Sequence, residues 1–220
     1  MRAIFFLISL LMVGSSFAAP APLPTWSVVK STHPFGWSAE FECTEGEVRV
    51  GKVVRSGLLC PRYYYDFYNS MGEPEVRGIT RAFSWGLLFP WGVEIDLYDG
   101  DTGIGMIGGK FYTGSRAKFV FYNGQGRATA VAYLNSEKLE FVISSAENEG
   151  IILAELTGKA FGDVGVWEMK PLKPIPGVDP RALRIFIAFA SDFHNSFMPP
   201  KQNIQYNNNS YNTYNSGSSR

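Results

Sequence analysis

From about residue 25 to residue 170 the apolar positions recur at every second residue, the period of a half-buried strand. In WGVEIDLY (91–98), Trp91, Val93, Ile95 and Leu97 fall on one face, and Glu94, Asp96 and Tyr98 on the other. RAKFVFY (116–122) groups Ala117, Phe119 and Phe121, and LEFVIS (139–144) groups Leu139, Phe141 and Ile143. The turns between such segments, NSMGE, DGDTG, NGQG and AENEG, supply the glycine and Asn/Asp that hairpins need. No amphipathic helical stretch of any length interrupts them. A plan also repeats at 63–83, 93–111 and 117–134, and more loosely at 139–156. Each copy is an aromatic strand, an Asn/Asp-Gly turn, and a second strand rich in Gly, Ala and small polar residues. Eleven or twelve candidate strands joined as consecutive hairpins predict an up-and-down antiparallel sheet that closes on itself and so removes its edges.

Near residue 180 the period changes. ALRIFIAFASDF (182–193) is apolar nearly all round, with Leu183, Ile185, Phe186, Ile187, Phe189 and Phe193 spread about the axis. Asp179 suits an N-cap and Pro180 a first helical position. A helix with so narrow a polar face is a buried helix, and this one is too short to cross a bilayer. A barrel of about twelve strands is too wide to fill with its own side chains. Ala128, Ala130 and Ala132, with Gly103, Gly105, Gly108 and Gly109, leave room against its wall. The expected fold is all-β: a closed antiparallel barrel of about twelve strands, residues 35–197, around a buried hydrophobic C-terminal helix at 180–195.

The two ends read differently. Met1-Arg2, the apolar run AIFFLISLLMV and the small residues Ser16 and Ala18 predict a signal peptide over 1–18, cleaved after Ala18. An uncleaved N-terminal anchor is the alternative, but the run falls short of about 20 residues. Residues 19–34 read as a lead-in. The Asn/Ser/Tyr-rich segment 198–220 buries too little apolar surface to offset its ordering entropy, so it is expected to be disordered. Export places Cys43 and Cys60, the only cysteines, in an oxidising compartment and favours a disulfide over two separate buried thiols. The resulting localisation is secreted or extracytoplasmic.

Lysine and arginine number 20, matching 20 aspartates and glutamates, and this balance argues against a nucleic-acid partner. Cys43, Cys60, His33 and His194 lack metal-ligand spacing. His194, near the helix end, reads as a capping or packing residue. DGDTGIG (99–105) has the look of a calcium loop, but Lys110 stands where the loop would need its last glutamate. A hairpin turn is the expectation. Asp66 and Asp96 occupy equivalent hairpin positions, yet nothing in the spacing makes them face each other for acid–base work. There is no Gly-x-Ser-x-Gly, and no Gly-rich loop opens a helix. No cofactor and no enzyme activity is expected.

IDLYDGDTGIGMIGGKF (95–111), KFVFYNGQG (118–126) and VDPRALRIFIAFASDF (178–193), in that order, resemble the tubby C-terminal-like superfamily. That group includes tubby proteins, phospholipid scramblases and LURP-one-related proteins. The resemblance, over roughly residues 35 to 195, implies a twelve-stranded barrel threaded by a hydrophobic C-terminal helix. It departs from scramblases at KPLKPIPGVDP, where a calcium-binding acidic segment would stand and one acidic residue is found. The LURP-one-related group is nearest in plan. Two functional readings follow. One is an exported, non-enzymatic binding module engaging anionic lipid head groups or a protein partner, with Arg77, Arg81, Arg116 and Lys118 as the candidate basic patch. The other is a structural or envelope-associated protein whose tail makes the contacts.

Overall fold

The computed structural model describes residues 23–32, 38–57, 62–81, 92–113, 116–159 and 165–197. The expected signal peptide, the tail 198–220, Cys60 and His33 lie outside them. Twelve strands follow in order: β1 (Trp26–Thr32), β2 (Ala39–Glu45), β3 (Val48–Ser56), β4 (Tyr64–Asn69), β5 (Pro74–Thr80) and β6 (Gly92–Asp99). They continue as β7 (Thr102–Thr113), β8 (Arg116–Asn123), β9 (Ala128–Asn135), β10 (Glu140–Ser145), β11 (Ile152–Gly158) and β12 (Val166–Pro171). Each pairs antiparallel with its neighbours in sequence, and β1 pairs with β12 to close the barrel. The barrel thus begins at Trp26, earlier than the expected boundary at residue 35. Half of the supposed lead-in is the closing strand.

Closure has a repeated local device. The β2–β3, β4–β5, β6–β7, β8–β9 and β10–β11 hairpins all shift register just before their turns, at Cys43/Thr44, Phe67/Tyr68, Leu97/Tyr98, Phe121/Tyr122 and Ile143/Ser144. A bulge there bends and over-twists its strand, so five at one end curl the sheet. The residue before each shift, Cys43, Phe67, Leu97, Phe121 or Ile143, is buried.

The inward rows are the ones the alternation predicted: Ile95 and Leu97, then Ala117, Phe119 and Phe121, then Leu139, Phe141 and Ile143. At Gly109 a Cβ would come within 2.3 Å of the Phe119 ring, so the missing side chain lets that ring lie against the wall. Ala130 and Ala132 are fully buried on β9.

Helix α1 (Pro180–Asp192) fills the lumen, and a short α2 (His194–Phe197) follows. The expected single helix to residue 195 is broken at Phe193, the C-cap, whose N–H donates to Phe189 O. At about 1.5 Å per residue, α1 is about 20 Å long, enough to run from one mouth of the barrel to the other. It packs closest to β1, β12 and β4. The wider gap toward β8 and β10 is taken up by Phe186, whose ring lies 5.1 Å from Phe121, 5.2 Å from Phe119 and 5.5 Å from Phe141, edge to face. No helix among the described residues is long and apolar enough to cross a membrane.

Candidate functional site

The four basic residues singled out in the sequence fall on two separate parts of the wall. Arg77 lies on β5 and Arg81 just beyond it, whereas Arg116 and Lys118 lie on β8. β6 and β7 intervene, so the pairs are three strand spacings apart, about 14 Å. Arg77 grips Asp66 with two hydrogen bonds, Nε to Oδ1 at 2.7 Å and an η nitrogen to Oδ2 at 3.2 Å. Arg81 bridges Asp96 and Glu94, each at 2.9 Å. Those bonds hold both guanidiniums above their ordinary pKa, through Asp66 for Arg77 and chiefly through Asp96 for Arg81. Lys118 sits over the Tyr133 ring at 4.9 Å and 3.8 Å from Glu149, and its cross-strand partner on β7 is Lys110. Asp66 and Asp96 each hold an arginine on the outer wall, with β5 between their strands.

The inside of the barrel holds a second set of charges, which follows from the helix. Arg184, Ala188 and Asp192 recur every four residues, so they share one face of α1. Where the helix starts, Asp179 caps it by accepting from Arg181 N at 2.8 Å. Burial pushes the Asp179 carboxyl up, but the Arg181 hydrogen bonds outweigh this and leave it below the usual range. Arg181 also pairs with Asp99 at 2.9 Å, so the DGDTG segment is a hairpin turn tied to the helix. Arg184 pairs with Glu45 and stacks over Trp26 and Phe67, at 5.1 and 5.2 Å.

Where the helix ends, Asp192 meets three groups at once. Lys30 Nζ donates to Oδ1 at 2.9 Å, Tyr65 OH donates to Oδ2 at 3.0 Å, and Arg55 Nε lies 2.9 Å from Oδ2. Lys30, Arg55 and Tyr65 all point into the barrel, on β1, β3 and β4, in rows otherwise filled by Val28, Val53 and Phe67. Burial, and then the Asp192 charge, raise the Tyr65 phenol well above its usual pKa, so it stays a donor. The Arg55 Nε–H is not aimed at the carboxylate oxygen, and this buried group makes no hydrogen bond among the described residues. His194 follows on the same rim, 4 % exposed and edge-on to Trp167 at 6.0 Å. Neither of its ring nitrogens has a hydrogen-bond partner among the described residues. Burial, and then the Lys30 charge, lower its pKa.

The two mouths differ in charge. The turns around the helix start carry Glu47, Glu73, Asp99, Asp101 and Glu147, against Arg127 and Lys173. The rim around the helix end carries Lys30, Arg55, Arg62, Arg81, Lys138 and Lys159, against Glu137 beside Lys138, Glu168 paired to Lys159, and Asp192. At the acidic mouth a half-open pocket of about 250 Å³ is lined by Asn123, Arg127, Thr129, Ser145, Glu147 and Gly177, with the Arg127–Glu147 pair on its rim.

Sequence reading missed Lys30 and Asp192. The available signal was the eight-residue spacing of Arg184 and Asp192, which puts both on one face of an otherwise apolar helix and asks for charged partners on the wall. Cys43 is a buried free thiol, donating to Phe41 O at 3.7 Å and pushed up to about 12 by burial. Its expected partner Cys60 lies outside the described residues. Among the described residues, no group of three or more His, Cys, Asp or Glu is placed to hold a metal. No protein-family model and no curated protein matches the chain.

Proposed function

We propose that this is an exported, non-enzymatic binding module that meets an anionic lipid surface through the mouth where the helix ends. The observation that carries the reading is the separation of charge between the two mouths in a chain with no net charge. Each basic side chain near an anionic surface contributes about 1 kcal/mol, so three or four acting together give measurable binding. Arg62 and Lys138 are exposed at that rim. Arg77, on the outer wall, and Arg81 and Lys159, at the rim, are engaged by carboxylates and contribute less. The likeness of the hairpin order and terminal helix to the tubby-like superfamily also supports a binding role. A filled lumen supports it too, because a barrel packed with phenylalanine offers its rims and wall for recognition.

The test is co-sedimentation of residues 19–220 with vesicles of neutral lipid alone and of neutral lipid with phosphatidylglycerol, at two salt concentrations. Binding to the anionic vesicles that weakens as salt rises supports the reading. Equal retention on neutral vesicles, or none on either, contradicts it and favours contacts made by residues 198–220.

A further inference from the structure

Lys30 and Arg55 are an odd pair to find inside a barrel. Both occupy inward positions, with side chains only 22 % and 12 % exposed, and Asp192 is the one carboxylate they share. The backbone carbonyls at the end of α1 add about half a negative charge at this rim. Two cations against one carboxylate and half a charge leave about half a unit of positive charge unmatched. Taking charge out of water is costly unless it is paired, so a surplus held here points to a further anion.

The hydrogen bonds point the same way. Lys30 and Tyr65 each place a donor on Asp192, but Arg55 makes only an ion contact to it and lies over the Tyr63 ring at 5.4 Å. Its Nε–H is buried with no hydrogen-bond partner among the described residues, and a guanidinium carries five N–H donors in a planar fork. On the β12 side of the same rim, His194 is 96 % buried by the measure of its 4 % exposure and leaves both ring nitrogens unpartnered. A planar fork beside a lysine ammonium, with a neutral imidazole nearby, matches a tetrahedral or planar oxyanion and no cation.

We propose that the rim where the helix ends holds a phosphate-type oxyanion between Arg55 and Lys30. The site stands apart from the membrane reading, because the same group is carried by a free phosphate monoester or by a phosphomonoester lipid. Inorganic phosphate is the first probe, in thermal unfolding of residues 19–220 at pH 7 against chloride at matched ionic strength. Phosphate is expected to raise the midpoint by a few degrees and to saturate in the low-millimolar range, as ligand linkage requires. Arg55→Gln is expected to lose that rise. Arg55→Lys keeps the charge beside Asp192 and loses the fork, so it is expected to fold and to bind at least about tenfold more weakly. Equal midpoints in phosphate and chloride, or a phosphate-specific rise that survives in Arg55→Lys at full strength, would overturn the site.

Vesicles then separate the sources. Arg55-dependent retention on phosphatidic acid, beyond that on phosphatidylglycerol, identifies a lipid phosphomonoester. A phosphate response with no such Arg55 dependence identifies a soluble ligand. Retention on every anionic vesicle that ignores Arg55, with no phosphate response, overturns this site and leaves the membrane reading intact.

Discussion

Asn69 and Asn123 solve one backbone problem twice. In each hairpin the Asn side-chain oxygen accepts from two backbone N–H groups, Met71 and Glu73 in the first and Gln125 and Arg127 in the second, all at 3.0 Å. A glycine at positive φ follows, Gly72 at 84° and Gly126 at 74°, as the three-residue hairpin with a left-handed third position requires. This much was legible, because Asn-x-x-Gly between alternating strands names its own turn. Asn123→Ala is expected to destabilise by about 1 kcal/mol, seen as a lower urea midpoint with an unchanged slope. His194 makes a second prediction. Its folded pKa lies below the unfolded value, so between the two the unfolded chain binds more protons, and stability falls as pH drops through about 6.5. Thermal midpoints at pH 7.5 and 5.0 should separate more in the wild type than in His194→Phe. Equal separations would count against it. Lys30, Trp167 and the ion pairs of Asp192 are the groups to hold constant in reading that result.

At the scale of elements, the helix was legible and its charged partners were not. A run apolar on nearly every side can only be buried, and the N-cap Asp179 and Pro180 mark its start. The inward face of β1 and β3 is different. Val28-Val29 and Val53-Val54 put an apolar side chain on both faces, so alternation cannot say which way Lys30 and Arg55 turn. Only the carboxylate on α1, more than 130 residues further on, decides it. The closing strand falls inside the β pattern read from about residue 25, but its place in the barrel was not legible: β1 pairs with β12, its most distant neighbour in sequence, and such a pair leaves no local signature. Phe186→Ala should cost about 3–5 kcal/mol, since the ring bridges the off-centre helix to three wall phenylalanines. Asp192→Asn should cost about 2 kcal/mol, below the 3–5 of a fully buried pair because Lys30 reaches solvent. Urea denaturation checks both.

At the scale of the molecule, net charge hid what matters. A balance of 20 against 20 reads as neutral, yet the acidic mouth surrounds the positive end of the helix dipole and the basic mouth its negative end. That arrangement stabilises the helix and also gives the barrel a polarity from which binding follows. Hairpin order alone could not reveal it, because consecutive turns alternate between the two mouths and mix the charges along the sequence. The most direct measurement compares two charge-reversed variants on phosphatidylglycerol vesicles. Arg62→Glu with Lys138→Glu changes the rim at the helix end, and Arg77→Glu changes the outer wall. Loss of about tenfold or more in the rim variant, with a smaller change in the wall variant, is the result this account predicts. A wall variant that loses binding while the rim variant keeps it would contradict the account and return the site to β5.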